Sequence, residues 1–169
     1  RQIPEFCIGN AVFSKFPILS SRVLKLKDGG LVEYNRKKRE DFVKDRPYLQ
    51  KHLLDVILGL GDLRVHAICV HGALTAPPKD TSENMRQANM IAQYIRSLGD
   101  GPFIIGADMN MPPGSKVIDK ISAVANNLIV DSGVLQTTHP TIHKIAPKGF
   151  LIDYVFVSKH FKRISVEVP

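Results

Sequence analysis

The sequence predicts one mixed α and β domain, rich in strands. Three observations carry that reading. The chain has 169 residues, 44% of them hydrophobic and 23% charged, the size and balance of a single folded domain. Short apolar runs punctuated by Gly, Pro and Asp recur along its length and read as strands. One longer amphipathic segment between two such runs reads as a helix crossing over the sheet, which favours parallel or mixed pairing.

In chain order, strands are expected at Ala11–Phe13, Ser21–Leu26, Leu53–Leu58, Arg64–His71, Phe103–Ala107, Asn127–Val130, Ile152–Ser158 and Ile164–Val168. The helix begins after Thr81 or Ser82, either of which can cap it, and Glu83 places a favourable negative charge in the first turn. Met85, Ala88, Ile91, Ala92, Ile95 and Leu98 then recur at helical spacing, and Gly99 is a natural stop. A second, weaker helix is expected from Ser115 to about Val124.

Composition excludes several classes. The fraction of apolar residues rules out a disordered tail, and the sequence has neither a collagen repeat nor a dense cysteine framework. Uncharged stretches such as Pro102–Ala107 fall far short of the ~20 apolar residues of a membrane helix. Cys7 and Cys69 both lie in apolar surroundings and read as small buried hydrophobes. The net charge of +7 and pI near 9.5 suit a polyanionic partner such as nucleic acid, and equally suit a charge that keeps the protein soluble. Arg36–Arg46 concentrates charge of both signs, as a solvated loop or a phosphate-facing one would. The first residue is Arg1, with no signal-peptide pattern, so a start inside a longer gene product is expected.

Three places can carry chemistry. In Phe103–Pro112 an apolar strand runs into Asp108, with Asn110 two residues later. Extended residues i and i+2 share a side, ~7 Å apart, so both are expected to project toward one place at a strand end. A carboxylate there can take a proton from a water, and an amide can hold that water or a phosphate oxygen. The bland alternative is an Asx turn closing the strand. In Leu151–Ser158 alternation puts Asp153 beside Val155 and Val157. A charge in that position needs a partner, either a structural cation or a catalytic centre. His71 ends Arg64–His71, where it can contact a phosphate or act as an acid; His66, an odd number of residues away, faces the other side. His139 and His143 have ligand-like spacing, but Pro140 argues against one regular helix holding both. Zinc-hydrolase and Walker-type phosphate motifs are absent from the sequence.

Taken in order, these pieces resemble the endonuclease/exonuclease/phosphatase superfamily, the DNase I-like fold. The matching segments are Gly9–Ile18, Val70-His71, Arg86-Gln87-Ala88, Gly106–Asn110, Thr138-His139-Pro140 and Ile152–Ser158. The resemblance implies a four-layer α/β/β/α sandwich that cleaves phosphoester bonds with a divalent metal, Mg²⁺ or Mn²⁺. By similarity, Asp108 would activate the attacking water, Asn110 would hold phosphate or support that water, and His71 would contact phosphate or donate a proton. Asp153 would support the catalytic centre, and Asn10 would be a substrate-side or loop-fixing residue. The family's Glu-bearing opening strand and closing Ser-Asp-His segment have no counterpart between Arg1 and Pro169. The chain is therefore expected to be an incomplete copy, a single domain over residues 1–169. Asp108 would be a weak metal ligand, with the main ligands outside. Three readings stay open: a phosphoesterase acting on nucleic acid, a phospholipid or an inositol phosphate; a non-catalytic family member or fragment acting as a binding domain; or an unrelated mixed α and β binding protein.

Overall fold

The structure, a computed structural model, describes residues 9–29, 49–139 and 149–168. Its elements are β1 (Ile18–Lys27), β2 (Lys51–Leu60), β3 (Leu63–His71), α1 (Ser82–Ser97), β4 (Phe103–Asp108), α2 (Lys116–Ser122), β5 (Asn126–Asn127) and β6 (Asp153–Val157). They form one six-stranded sheet in the order β1-β2-β3-β4-β6-β5. The pairs β1–β2 and β2–β3 are antiparallel, β3–β4 is parallel, and β6 runs antiparallel to both β4 and β5. The parallel pair is the one joined through α1, as the crossover reading requires. Mixed α and β architecture is thus observed. The described residues supply one sheet and one helical layer of the four that the resemblance implies.

Both helices start where the sequence places capping residues. The Thr81 hydroxyl accepts from the Asn84 N–H at 3.1 Å, and Ser115 does the same for α2 through the Ile118 N–H, filling donors that the first turn leaves open. Asp80 reaches across to accept from the N–H groups of Lys116 and Val117, tying the approach to α1 to the start of α2.

Side-chain alternation gives the sheet two unlike faces. Leu53, Ile68, Val70, Ile105 and Phe156 share one face and pack into a single buried core with Ala88, Ile91 and Ile95 of α1 and Val117, Ile118 and Ile121 of α2. The opposite face carries Val23, Leu54, Ile104 and Val155, part of which is open to solvent: Val23 is 61% and Ile104 38% exposed. His66 and His71 fall on opposite faces, as their odd separation requires.

Three expected strands differ. Ala11–Phe13 carries no ladder; it is held by the Asn10 amide, which donates to the carbonyls of His52 (2.7 Å) and Cys69 (3.1 Å). The run at Asn127–Val130 stops at Asn127, because its side-chain oxygen accepts from the N–H groups of Ile129 and Val130 and turns the chain. Ile164–Val168 is not a strand either. Ile164 is fully exposed, and that segment is tethered by Arg163, whose guanidinium donates to the carbonyls of Leu128, Val130 and Asp131. A strand needs a neighbouring edge as well as a suitable sequence. The charged segment 36–46, Cys7, Pro140 and His143 lie outside the described residues.

Candidate active site

The ends of β3 and β4 and the start of β6 lie together, and their register sets three candidate side chains abreast. His71 is opposite Asp108, and Asp108 is opposite Asp153. Paired residues point to the same face, with neighbouring strands ~4.8 Å apart. All three stand on the face away from the helices, at one end of a cleft of about 560 Å³ whose wall also includes Asn10, Phe13 and Val155. His71 Nε2 lies 3.7 Å from Asp108 Oδ2, an ion-pair distance rather than a hydrogen bond.

The loops behind this row are tightly fastened. The Gly72 N–H donates to Asp108 O at 2.8 Å. A side chain at Gly72 would bring its Cβ to 3.0 Å from Met109 O, a tight contact that would press the two post-strand segments apart by a few tenths of an ångström. On α1, the buried Gln87 accepts from the Ala73 N–H at 3.1 Å, and the buried Asn84 donates to Ala73 O. Gln87 in turn donates to Glu83, which pairs with Arg86. Arg86 and Gln87, singled out in the sequence, thus brace the backbone that follows His71.

Asn110 is placed differently from the expectation of a shared direction with Asp108. Its backbone turns through φ 52°, a left-handed conformation that Asn tolerates better than most residues. Its N–H donates to Asp108 Oδ1 at 2.9 Å, and its buried amide donates to Gly72 O at 3.3 Å. The i, i+2 rule fails because the strand ends at Asp108. This is the Asx-turn geometry, and it orients the Asp108 carboxylate. The Asn10 amide is likewise engaged by two backbone carbonyls, an arrangement that pins its loop.

Electrostatics at Asp108 follow from this packing. Burial pushes its carboxyl above the usual carboxylate range; the His71 imidazole opposes the rise and the adjoining Asp153 carboxylate reinforces it. The Asn110 N–H and Lys51 also favour the charged form.

Sequence reasoning missed a second polar group on the helix face. Asp55, 3% exposed, accepts from the Tyr94 hydroxyl at 2.6 Å and lies 2.7 Å from His66 Nδ1. These groups border a separate polar cavity of about 230 Å³. They tie β2 and β3 to α1 and are remote from the His71 end of the strand. The signal was an Asp inside the apolar run Leu53–Leu58, at the same parity as Leu53 and Ile57.

Fold and cleft together define a mixed α and β protein with an imidazole and two carboxylates gathered at strand ends. The chain belongs to the endonuclease/exonuclease/phosphatase family, whose model matches residues 8–169. No curated protein matches it in sequence. Among solved structures it is similar to an endonuclease/exonuclease/phosphatase from Bacteroides vulgatus (16% identity, TM-score 0.63), covering 86% of this chain and 55% of that one. It is similar to sphingomyelinase C from Streptomyces griseocarneus (21% identity, TM-score 0.59), covering 89% and 53%. It is also similar to a mannosyl-6-phosphatase from Bacteroides thetaiotaomicron (15% identity, TM-score 0.61), covering 92% and 58%. At these identities the likeness is one of fold. The chain spans about half the length of the structures it matches.

Proposed function

We propose that the cleft belongs to a phosphoesterase and hydrolyses a phosphodiester or phosphomonoester bond. The observation that carries this reading is the row His71, Asp108, Asp153 across three adjacent strand ends. Hydrolysis at phosphorus needs a base for the attacking water and a proton for the departing oxygen. Asp108 suits the base. The Asn110 N–H orients its carboxylate, and burial raises its proton affinity toward the working range. His71 suits the phosphate contact and the proton donor, standing beside Asp108 but partly open to the cleft. Asp153 keeps the local field negative, which raises the proton affinity of Asp108 further. Asn110 and Asn10 act through backbone, fixing the Asp108 carboxylate and the cleft wall.

A Mg²⁺ or Mn²⁺ ion is part of this proposal. Among the described residues, no group of three or more His, Cys, Asp or Glu is arranged to hold a metal. Asp108 and Asp153 nevertheless offer the oxygen donors that such a hard cation prefers. Asp108 would hold it together with ligands beyond the described residues, and the ion would supply charge neutralisation on the phosphoryl oxygens. The relatives named for a sphingomyelin substrate and for a mannosyl phosphate indicate the range of phosphoesters to assay; a nucleic acid belongs in the same panel, given the +7 charge.

The test is Asp108→Asn in the full-length protein that carries this chain. Phosphoesterase turnover should fall ~10²–10⁴-fold, the usual contribution of a positioned general base. Turnover equal to wild type on every substrate cleaved would overturn the assignment.

A further inference from the structure

Asp153 owes its direction to a residue outside the row. The N–H groups of Ile152 and Asp153 both donate to the Thr137 hydroxyl oxygen, each at 3.1 Å. In an extended strand, successive N–H groups point to opposite edges, so one acceptor cannot serve two in a row. The chain must therefore bend around Thr137, and regular strand begins at Asp153. On the opposite edge, Met109 N–H donates to Ile152 O at 2.9 Å. The first residue of β6 is thus held between the segment after β4 and the Thr137 hydroxyl.

That hydroxyl is itself anchored. The N–H groups of Thr137 and Thr138 both donate to Phe150 O, at 2.7 and 3.0 Å. The Phe150 N–H donates back to the Thr138 hydroxyl. Gly149 completes the clasp. Its φ is +75°, and a Cβ there would lie 2.8 Å from Thr138 O. Five backbone N–H groups thus converge on two threonine hydroxyls and one carbonyl immediately before a carboxylate of the cleft.

We propose that Thr137 is a positioning residue for the cleft: its hydroxyl sets where β6 begins and so aims Asp153 at Asp108. This rests on the phosphoesterase reading above. The link to chemistry is geometric: Asp153 pairs with Asp108 across β4–β6, and both line the same cleft. Without the acceptor, the two N–H groups must find separate partners. The strand start then relaxes, and Asp153 turns out of the row.

The experiment compares Thr137→Val and Thr137→Ser in the full-length protein. Val keeps the shape and removes the acceptor; Ser keeps the acceptor and removes the methyl. Thr137→Val should lower kcat roughly 10- to 100-fold, the scale of a small misplacement at a reacting centre, with KM little changed. Thr137→Ser should restore kcat. A kcat like wild type in Thr137→Val would overturn the proposal. So would a Ser variant as impaired as the Val variant, since the methyl would then be what matters. Where Thr137→Val does not fold, Gly149→Ala displaces the same clasp and should lower kcat in the same way with KM little changed; an unchanged kcat counts against the proposal. Amide hydrogen exchange at Ile152 and Asp153, faster in Thr137→Val than in Thr137→Ser, reads the loosened strand start without turnover. A failed phosphoesterase assignment, seen as an Asp108→Asn variant with full activity, is thereby distinguished from a failed role for Thr137.

Discussion

Asp108 concentrates the residue-scale argument, because its neighbours act on it with opposite signs. Burial and Asp153 raise its pKa, while His71 lowers it. The folded pKa lies above the unfolded one. Its contribution to stability is therefore fully present below the unfolded pKa and is lost as pH rises through the folded pKa. At neutral pH the ionised group is a liability, so Asp108→Asn should leave Tm unchanged or slightly higher while activity collapses. Calorimetry beside the turnover assay checks both halves. The same signs predict opposite displacements of the acid limb of kcat. His71→Gln removes a group that favours the charged carboxylate and should move the limb to higher pH. Asp153→Asn removes one that disfavours it and should move the limb to lower pH. A pH–rate profile of the residual activity decides; displacement of both in one direction would show that another group sets the limb.

Among the elements, α1 does more than cover the sheet. Its apolar stripe was legible from spacing, and its buried residues Ala88, Ile91, Ala92 and Ile95 are those the periodicity selects. Its buried amides were not legible as such, since a Gln at helical position 87 reads equally well as solvent-facing. Only the fold shows Gln87 accepting from the Ala73 N–H. Gln87→Leu leaves that donor unpaired in a buried place and should destabilise the protein by ~1–3 kcal/mol, measured by urea unfolding. A midpoint equal to wild type would mean that water replaces the amide. The strands divide in the same way. Runs with two neighbours, such as Arg64–His71 and Phe103–Ala107, were read nearly to their ends, whereas Asn127–Val130 and Ile164–Val168 depend on partners that local sequence does not reveal.

For the molecule as a whole, the unlike faces of the sheet dominate. One is sealed by two helices; the other exposes Val23 and Ile104, with Phe13, 96% exposed, lining the same cleft as Ile104. Apolar surface of this kind promotes association. The isolated 169-residue chain is expected to self-associate at micromolar concentration and to show weak or no phosphoesterase activity. Sedimentation velocity with a parallel assay tests this; a well-behaved monomer with full turnover would contradict it. The open face also carries the cleft, so whatever covers the apolar part borders the His71–Asp108–Asp153 row.

The sequence by itself determined the mixed α and β class, the crossover helix with its Thr81 cap, and the family resemblance that the match over residues 8–169 bears out. Those are properties of local pattern: period, capping chemistry and the order of short motifs along the chain. It also placed His71 and Asp108 at strand ends, because an apolar run that meets a polar residue and a turn signal announces its own end, and it put Asp153 near the start of the strand Ile152–Ser158. Tertiary structure alone decided that these three ends lie abreast, that Asn110 turns inward to Gly72, and that Thr137 holds the start of β6. Register and long-range hydrogen bonds join residues separated by up to tens of positions, and no local period records which strand will lie beside which.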